Sequence, residues 1–185
     1  MTRKHLLILF TAAGLILGLA AGIWTWRLNR GLSAEDITGC ITDFTAKIAA
    51  GDLQGARNLM TEETGALLRE PGNSLGEAMY RKLSLISVDH VMAENGDIYS
   101  ADVILTSPDR VKIAAKAGIL FGERVTAEGP AEDTDRMMAE IYEELLSRDD
   151  LPMLDSFCVI RVENRNGKPL IRGDETLQRI LENGN

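Results

Sequence analysis

The sequence predicts an α+β fold with an antiparallel sheet, preceded by one transmembrane helix. Three observations lead to this prediction. Residues 6–26 contain no charged side chain, residues 33–82 show helical periodicity, and later segments alternate apolar and polar residues around Asn95-Gly96 and Asn166-Gly167. Because helices that precede a group of hairpins are typical of α+β domains, we expect one such domain after the apolar segment.

The apolar segment 6–26 has the length of a membrane-spanning helix. Its 21 residues would measure about 32 Å as an α-helix, close to the hydrocarbon thickness of a bilayer. Trp24 and Trp26, followed by Arg27 and Arg30, are typical of a membrane surface. A cleaved signal peptide is the alternative, although its apolar stretch is usually shorter. We therefore predict a single-pass cell-membrane protein with a cytoplasmic tail (residues 1–5), a lipid-contacting helix (6–26), a linker (27–32) and an extracytoplasmic domain (33–185).

Three glycines within the apolar segment suggest a helix–helix contact. Gly14, Gly18 and Gly22 are four residues apart and would lie on one helical face. Small residues at this spacing let two membrane helices approach closely, although glycine is also common in membrane helices for other reasons. The pattern predicts a homo-oligomer or a complex with an envelope protein.

The charge of the remaining chain restricts its partners. Residues 31–185 hold all 28 acidic residues and 16 of the 20 basic residues, which gives a net charge of −12. Such a body repels phosphate backbones, so we exclude nucleic-acid binding. The two cysteines, Cys40 and Cys158, are too few for a disulfide framework, and burial of both as small apolar side chains is the favoured interpretation over a single bridge.

The first half of the domain should be helical. Ser33 is a predicted N-cap, and the apolar spacing continues to Ala50, where Gly51 ends the helix. Asp52 begins a second helix. Two further short helices are expected over residues 62–69 and 74–82.

A β-hairpin follows these helices. The segment LSLISVDHVM alternates, Asn95-Gly96 is a strong hairpin signal, and IYSADVILT forms the returning strand. Strict alternation would place Ile86 and Val88 on one face. The other face would hold Leu83, Leu85 and Val91.

The second half combines two helices with a second hairpin. Ser107 as N-cap and Pro108 at the first helical position predict a helix to about Phe121, and Gly129-Pro130 marks a break. A helix over residues 131–148 should bury Ile141 and Leu145. The strand DSFCVIRVEN, the turn Asn166-Gly167, the strand PLIR and a helix capped by Asp174 complete the chain.

Two segments resemble a known family. ITDFTAKIAAGDLQGARNLMT is similar to the opening of NTF2-like domains, and VENRNGKPLIRGDETLQRILENG resembles the ending of membrane-anchored bacterial NTF2-like proteins of unknown function. Two departures are Pro169-Leu170, where an aromatic residue is frequent, and the long helical insert over residues 108–148. The resemblance implies helices packed on a curved antiparallel sheet, which form a cone that often holds a pocket.

The NTF2-like fold hosts isomerases and dehydratases, so the resemblance also implies that an enzyme is an alternative. His90 is the sole histidine of the domain, and with Asp89 and Tyr99 it could line the cone, although a position at the rim is the favoured interpretation. Asp102 is expected to face solvent. The sequence contains no CxxC, HxxxH, calcium-loop, GxGxxG or Walker pattern, so we predict no catalytic residue, cofactor or metal.

These observations favour a non-enzymatic, membrane-anchored extracytoplasmic domain that acts as a protein-interaction or assembly scaffold at the cell envelope. The alternative is a small-molecule-binding or isomerase/dehydratase-type domain that uses the cone pocket. Fold resemblance alone cannot separate the two.

Overall fold

A computed structural model describes residues 31–72, 74–129 and 133–181. The described part is α+β with one four-stranded antiparallel sheet in the order β1-β2-β3-β4, which confirms that part of the predicted fold class. In chain order the elements are α1 (Ala34–Ala49), α2 (Leu53–Arg57), a 3-10 turn (Gly65–Leu67), α3 (Ser74–Arg81), β1 (Ser84–Asn95), β2 (Ile98–Pro108), α4 (Arg110–Glu128), α5 (Thr134–Ser147), β3 (Met153–Arg165), β4 (Lys168–Arg172) and α6 (Glu175–Leu181).

Helix α1 begins and ends where the sequence predicts. The backbone N–H of Asp36 donates to Ser33 Oγ at 3.1 Å, and the Ser33 N–H donates to Asp36 Oδ2 at 2.9 Å, which completes a capping box. After Ala50, Gly51 adopts a φ of 78°, a conformation that glycine tolerates and that stops the helix. Asp52 then caps α2, as predicted.

Both predicted hairpins are present. Asn95 pairs with Ile98, so Gly96 and Asp97 form the first turn. Asn166 and Gly167 form the second turn, both with positive φ, which matches the twist of a tight hairpin. Strands β2 and β3 pair along eleven residues each, from Ile98↔Glu163 to Pro108↔Met153, and make up the centre of the sheet.

The main core lies between one face of the sheet, here called the inner face, and helices α1, α2 and α6. Phe44 on α1 is fully buried, as are Val103 on β2 and Val162 on β3. Ala56 of α2 and Leu177 of α6 belong to the same cluster. The helices therefore cover one face of the sheet, and this arrangement leaves the other face, the outer face, available to solvent.

A second, smaller core joins α4 and α5. Ile113 and Ala117 of α4 pack with Ile141 and Leu145 of α5, and all four are buried. This confirms the predicted inward residues of the second helix. The helical pair is inserted between β2 and β3 and has a core separate from that of the sheet.

Strand β1 departs from strict alternation. Its register against β2 shifts between Leu85 and Ser87, between Asp89 and Met92, and between Ala93 and Asn95. Each shift inserts one extra residue and reverses the faces that follow. Leu85 and Val88 consequently pack on the same core, so the predicted division of β1 between two faces is wrong.

Two element boundaries also differ from the predictions. Strand β2 continues through Ser107 and Pro108, because the Asp109 N–H donates to Pro152 O at 2.8 Å and extends the pairing with the chain before β3. Asp109, and not Ser107, is therefore the N-cap of α4. The helix predicted over residues 62–69 is reduced to the 3-10 turn. The preceding residues run beside β4, where the Thr61 N–H donates to Ile171 O.

The predicted transmembrane architecture requires correction. Segment 6–26, with Gly14, Gly18 and Gly22, lies outside the described residues. Across residues 31–72, 74–129 and 133–181, no helix combines the length and apolar character needed to cross a membrane. The 19-residue α4 is long enough but carries six charged residues. The structure therefore supports an α+β domain, and it does not support the predicted single-pass membrane protein with an extracytoplasmic domain.

Candidate protein-interaction surface

The outer face of the sheet carries apolar side chains along β3. Cys158, Ile160 and Val162 point to the core and are buried, whereas the alternate residues Phe157 and Val159 are 64% and 37% exposed. A phenylalanine with that exposure on regular secondary structure is unusual, because burial of a large aromatic side chain is strongly favourable and this gain is absent when water surrounds the ring. Strand β3 is thus apolar on both faces from Phe157 to Ile160.

The neighbouring strands extend this apolar patch. Ile104 of β2 pairs directly with Phe157 across the sheet. Ile86, the extra residue in the first register shift of β1, is 55% exposed. We call Ile86, Ile104, Phe157 and Val159 the outer patch. Because the four residues lie on three adjacent strands, the outer patch is contiguous across about 10 Å of sheet width.

Polar groups frame the outer patch at both ends. At one end, Thr106 Oγ1 donates a hydrogen bond to Asp155 Oδ1. At the other end, Arg161 Nε donates to Glu94 Oε1 at 3.2 Å, so the contact reaches from β3 to β1. An apolar centre with a polar margin is the usual anatomy of a protein–protein interface.

The predicted pocket residues do not converge on one site. His90 lies on β1 with a φ of 47°, its side chain is exposed, and its Nδ1 lies 3.1 Å from Asp102 Oδ2. Asp89 is exposed as well. Tyr99 instead packs against the main core, and its hydroxyl accepts the Leu32 N–H at 3.0 Å. His90 and Asp102 therefore form a surface pair, and the Tyr99 hydroxyl links Leu32, at the start of the domain, to β2 through a hydrogen bond.

The cone between α1 and the sheet is occupied by side chains. Phe44, Ile41 and Val103 each have no exposed surface, and Ile160 is nearly as well shielded. A cleft of about 240 Å³ lies elsewhere, next to α3 and the start of α4, and Tyr80 and Arg110 are among its lining residues. None of the three predicted pocket residues lines that cleft.

Both cysteines are free, buried thiols. Burial raises the pKa of Cys40 to about 11, and burial raises the pKa of Cys158 to about 11 as well. A thiol with so high a pKa is almost fully protonated at neutral pH and is a poor nucleophile. Cys40 and Cys158 thus act as small apolar core residues.

The carboxyl groups with a lowered pKa have structural roles. The Gly55 N–H lowers the pKa of Asp52, and the Lys112 N–H lowers that of Asp109; both aspartates are N-caps. Hydrogen bonds from Arg165 lower the pKa of Glu63. Within the described residues, no group of three or more His, Cys, Asp or Glu side chains could hold a metal ion.

Sequence reasoning missed the outer patch. The segment DSFCVIRV is apolar at Phe157 and Val159 as well as at Cys158, Ile160 and Val162. A strand that faces solvent on one side normally alternates with polar residues, so apolar residues in both phases indicate that both faces make contacts. The segment therefore carries a signal for contacts on both faces in addition to the signal for a strand.

Comparisons with known proteins return nothing for this chain. No protein-family model matches it, no curated protein matches it, and no solved structure matches it. The NTF2-like resemblance therefore stays a prediction.

Proposed function

We propose that this domain is a non-enzymatic protein-interaction module that binds an apolar surface of a protein partner through the outer patch. The single observation that supports the proposal most strongly is the 64% exposure of Phe157 on β3, where it pairs with Ile104 of β2. Soluble domains rarely leave a contiguous apolar patch open unless it binds something. Large aromatic side chains are also the residues that contribute most to binding free energy at interfaces.

The surrounding charges fit this proposal. Ion pairs at the margin of an interface stay partly solvated, add little affinity and restrict the orientation of the partner. The Arg161–Glu94 pair occupies such a marginal position, whereas the His90–Asp102 pair lies beside Val159, since Asp102 pairs with Val159 across the sheet. In the alternative function, a small molecule would bind in the cone, but Phe44 and Val103 fill that space.

Photocrosslinking tests the proposal. A photoreactive phenylalanine analogue is placed at position 157 of the full chain in its native cells, and the matched control places it at Ile119 on α4, which is 63% exposed. We expect a light-dependent adduct with one protein, identified by mass spectrometry, from position 157 only. The adduct should disappear when Val159→Asp is added, because a buried unpaired charge is costly.

Two outcomes would contradict the proposal. One is the absence of any adduct at position 157, and the other is the same set of adducts from positions 157 and 119. Thermal unfolding of the Val159→Asp chain must match that of the parent chain, so that loss of the adduct reports loss of binding. Val159 is partly exposed, which makes that match the expected result.

A further inference from the structure

We infer that the cleft beside α3 and the start of α4 binds a small organic carboxylate, with its apolar body on the floor of the cleft and its charge at the rim. The cleft has a volume of about 240 Å³, and none of the four outer-patch residues is among its described lining residues. The inference therefore goes beyond the proposed function and does not rest on it.

The floor of the cleft is apolar. Met79 and Tyr80 of α3 and Leu181 of α6 line it, and each of the three residues is only 7% exposed. Binding sites for small molecules are typically lined by apolar side chains, with a few polar groups that fix the orientation of the ligand. The removal of such a floor from water is favourable, so the cleft favours a ligand with an apolar part.

The rim of the cleft is cationic. Among its described lining residues, Arg69 and Arg110 are basic and Glu70 is the one acidic residue. Glu70 Oε1 accepts a hydrogen bond from Arg57 Nη1 at 3.2 Å, so a third arginine compensates its charge. This positive rim lies in a domain with a net charge of −12 over residues 31–185. A guanidinium presents parallel N–H donors that match a carboxylate, so the rim favours that anion.

Hydrogen bonds hold the backbone next to the rim in place. Arg57 Nε and Nη2 donate to Leu68 O at 3.1 and 3.0 Å, and the Tyr80 hydroxyl donates to Arg69 O at 3.3 Å. Arg110 is the first residue of α4, directly after its N-cap Asp109. Both arginine side chains thus extend from a backbone that is already ordered, which lowers the entropic cost of binding a ligand between them.

The volume of the cleft limits the size of the ligand. Pockets for drug-sized molecules measure about 300–1,000 Å³, so a cleft of about 240 Å³ fits a smaller molecule. Octanoate, a carboxylate on a linear alkyl chain, is a probe with this size and chemistry. Because few atoms contribute to its binding, we expect a Kd of roughly 0.1–1 mM.

Methyl NMR of the full chain, labelled with ¹³C at the methionine methyl groups, tests the inference. Met79 lines the cleft, whereas Met60 belongs to the main core and does not line it. Octanoate should shift the Met79 signal in a saturable manner and leave the Met60 signal in place; Met79→Leu identifies the first signal. Octanamide has the same chain without the charge, and acetate has the charge without the chain. Each should bind at least about tenfold more weakly than octanoate.

Substitutions at the rim test the role of the arginines. Arg69→Gln and Arg110→Gln should each raise the Kd for octanoate about tenfold, because a charge-assisted hydrogen bond is lost. The matched control is Arg136→Gln on α5, which removes the same charge from an exposed pair with Glu140 outside the cleft and should leave the Kd unchanged. Arg69 and Arg110 are exposed, so both variants should fold, and an unchanged Met60 signal verifies this.

Three outcomes would overturn the inference: no saturable shift of the Met79 signal, equal Kd values for octanoate and octanamide, or a Kd that is the same in both rim variants as in the parent chain. The comparison of octanoate with octanamide uses the parent chain, so it stays decisive if a variant unfolds. Photocrosslinking at position 157 concerns a different surface, so either proposal can fail while the other stands.

Discussion

Phe44 and Phe157 allow one substitution to be compared on opposite sides of the sheet. Phe44 has no exposed surface, so Phe44→Ala removes a fully buried ring and leaves a cavity. Such changes cost about 3–5 kcal/mol of unfolding free energy. Phe157 is 64% exposed, which leaves about a third of its surface shielded. Since complete burial of a phenylalanine contributes up to about 3 kcal/mol, Phe157→Ala should cost about 1 kcal/mol or less.

Thermal unfolding followed by far-UV circular dichroism measures the difference. Tryptophan fluorescence is unsuitable because Trp24 and Trp26 are the two tryptophans and both lie outside the described residues. For a domain of this size, 1 kcal/mol shifts the Tm by about 2–4 °C. Phe44→Ala should therefore lower the Tm by roughly 6–20 °C, and Phe157→Ala by no more than about 4 °C.

The protein concentration must be low for this comparison. Self-association of any protein stabilises its folded state by mass action, so a substitution in a surface that associates lowers the Tm at high protein concentration. Measurements at submicromolar concentration avoid this contribution. Equal losses of Tm for Phe44→Ala and Phe157→Ala under those conditions would refute the reasoning, because they would mean that the chain itself covers the outer patch.

Two further predictions concern the interior and the start of α4. Burial raises the pKa of Cys40 and Cys158 from 9.0 to about 11, so the unfolded state releases protons first as pH rises. Each neutral thiol stabilises the folded state fully below about pH 9. This contribution, about 2–3 kcal/mol for each thiol, is lost as the pH rises from about 9 to about 11. Urea titrations at several pH values should show that the free energy of unfolding falls less steeply with pH in the Cys40→Ala/Cys158→Ala chain than in the parent chain. An equal fall in both chains would contradict the burial argument. Asp109→Ala should cost about 1 kcal/mol of unfolding free energy because the Lys112 N–H loses its acceptor, whereas Asp109→Asn should cost less; equal losses would exclude capping as the cause.

The elements that could be predicted from the sequence are those fixed by local chemistry. Ser33 caps α1 through Asp36, three residues away, and the Asn166-Gly167 turn joins adjacent strands. The end of β2 was predicted too early in the chain, because the contacts that extend this strand come from residues distant in sequence. The Asp109 N–H bonds Pro152, and Pro108 pairs with Met153, across an insertion of more than forty residues. A preference for proline at the start of a helix could not outweigh those distant bonds.

The candidate site could be predicted only in part. His90 was expected at a rim, and the structure places it at the surface beside Asp102. The register shifts of β1 could not be foreseen, because they depend on pairing with β2 and not on the alternation of β1 itself. The outer patch was visible as apolar residues in both phases of β3. Its meaning required the structure, in which the described helices α1, α2 and α6 pack on the inner face while Phe157 and Val159 on the outer face stay exposed.

The three register shifts of β1 have a consequence for how copies of this domain associate. A long, regular edge strand offers a row of backbone donors and acceptors on which further strands can add without limit. The extra residues of β1, with His90 in a left-handed conformation, break that row three times within twelve residues. The addition of further strands at this edge is thereby obstructed. The irregular edge thus protects the sheet against open-ended strand addition along β1.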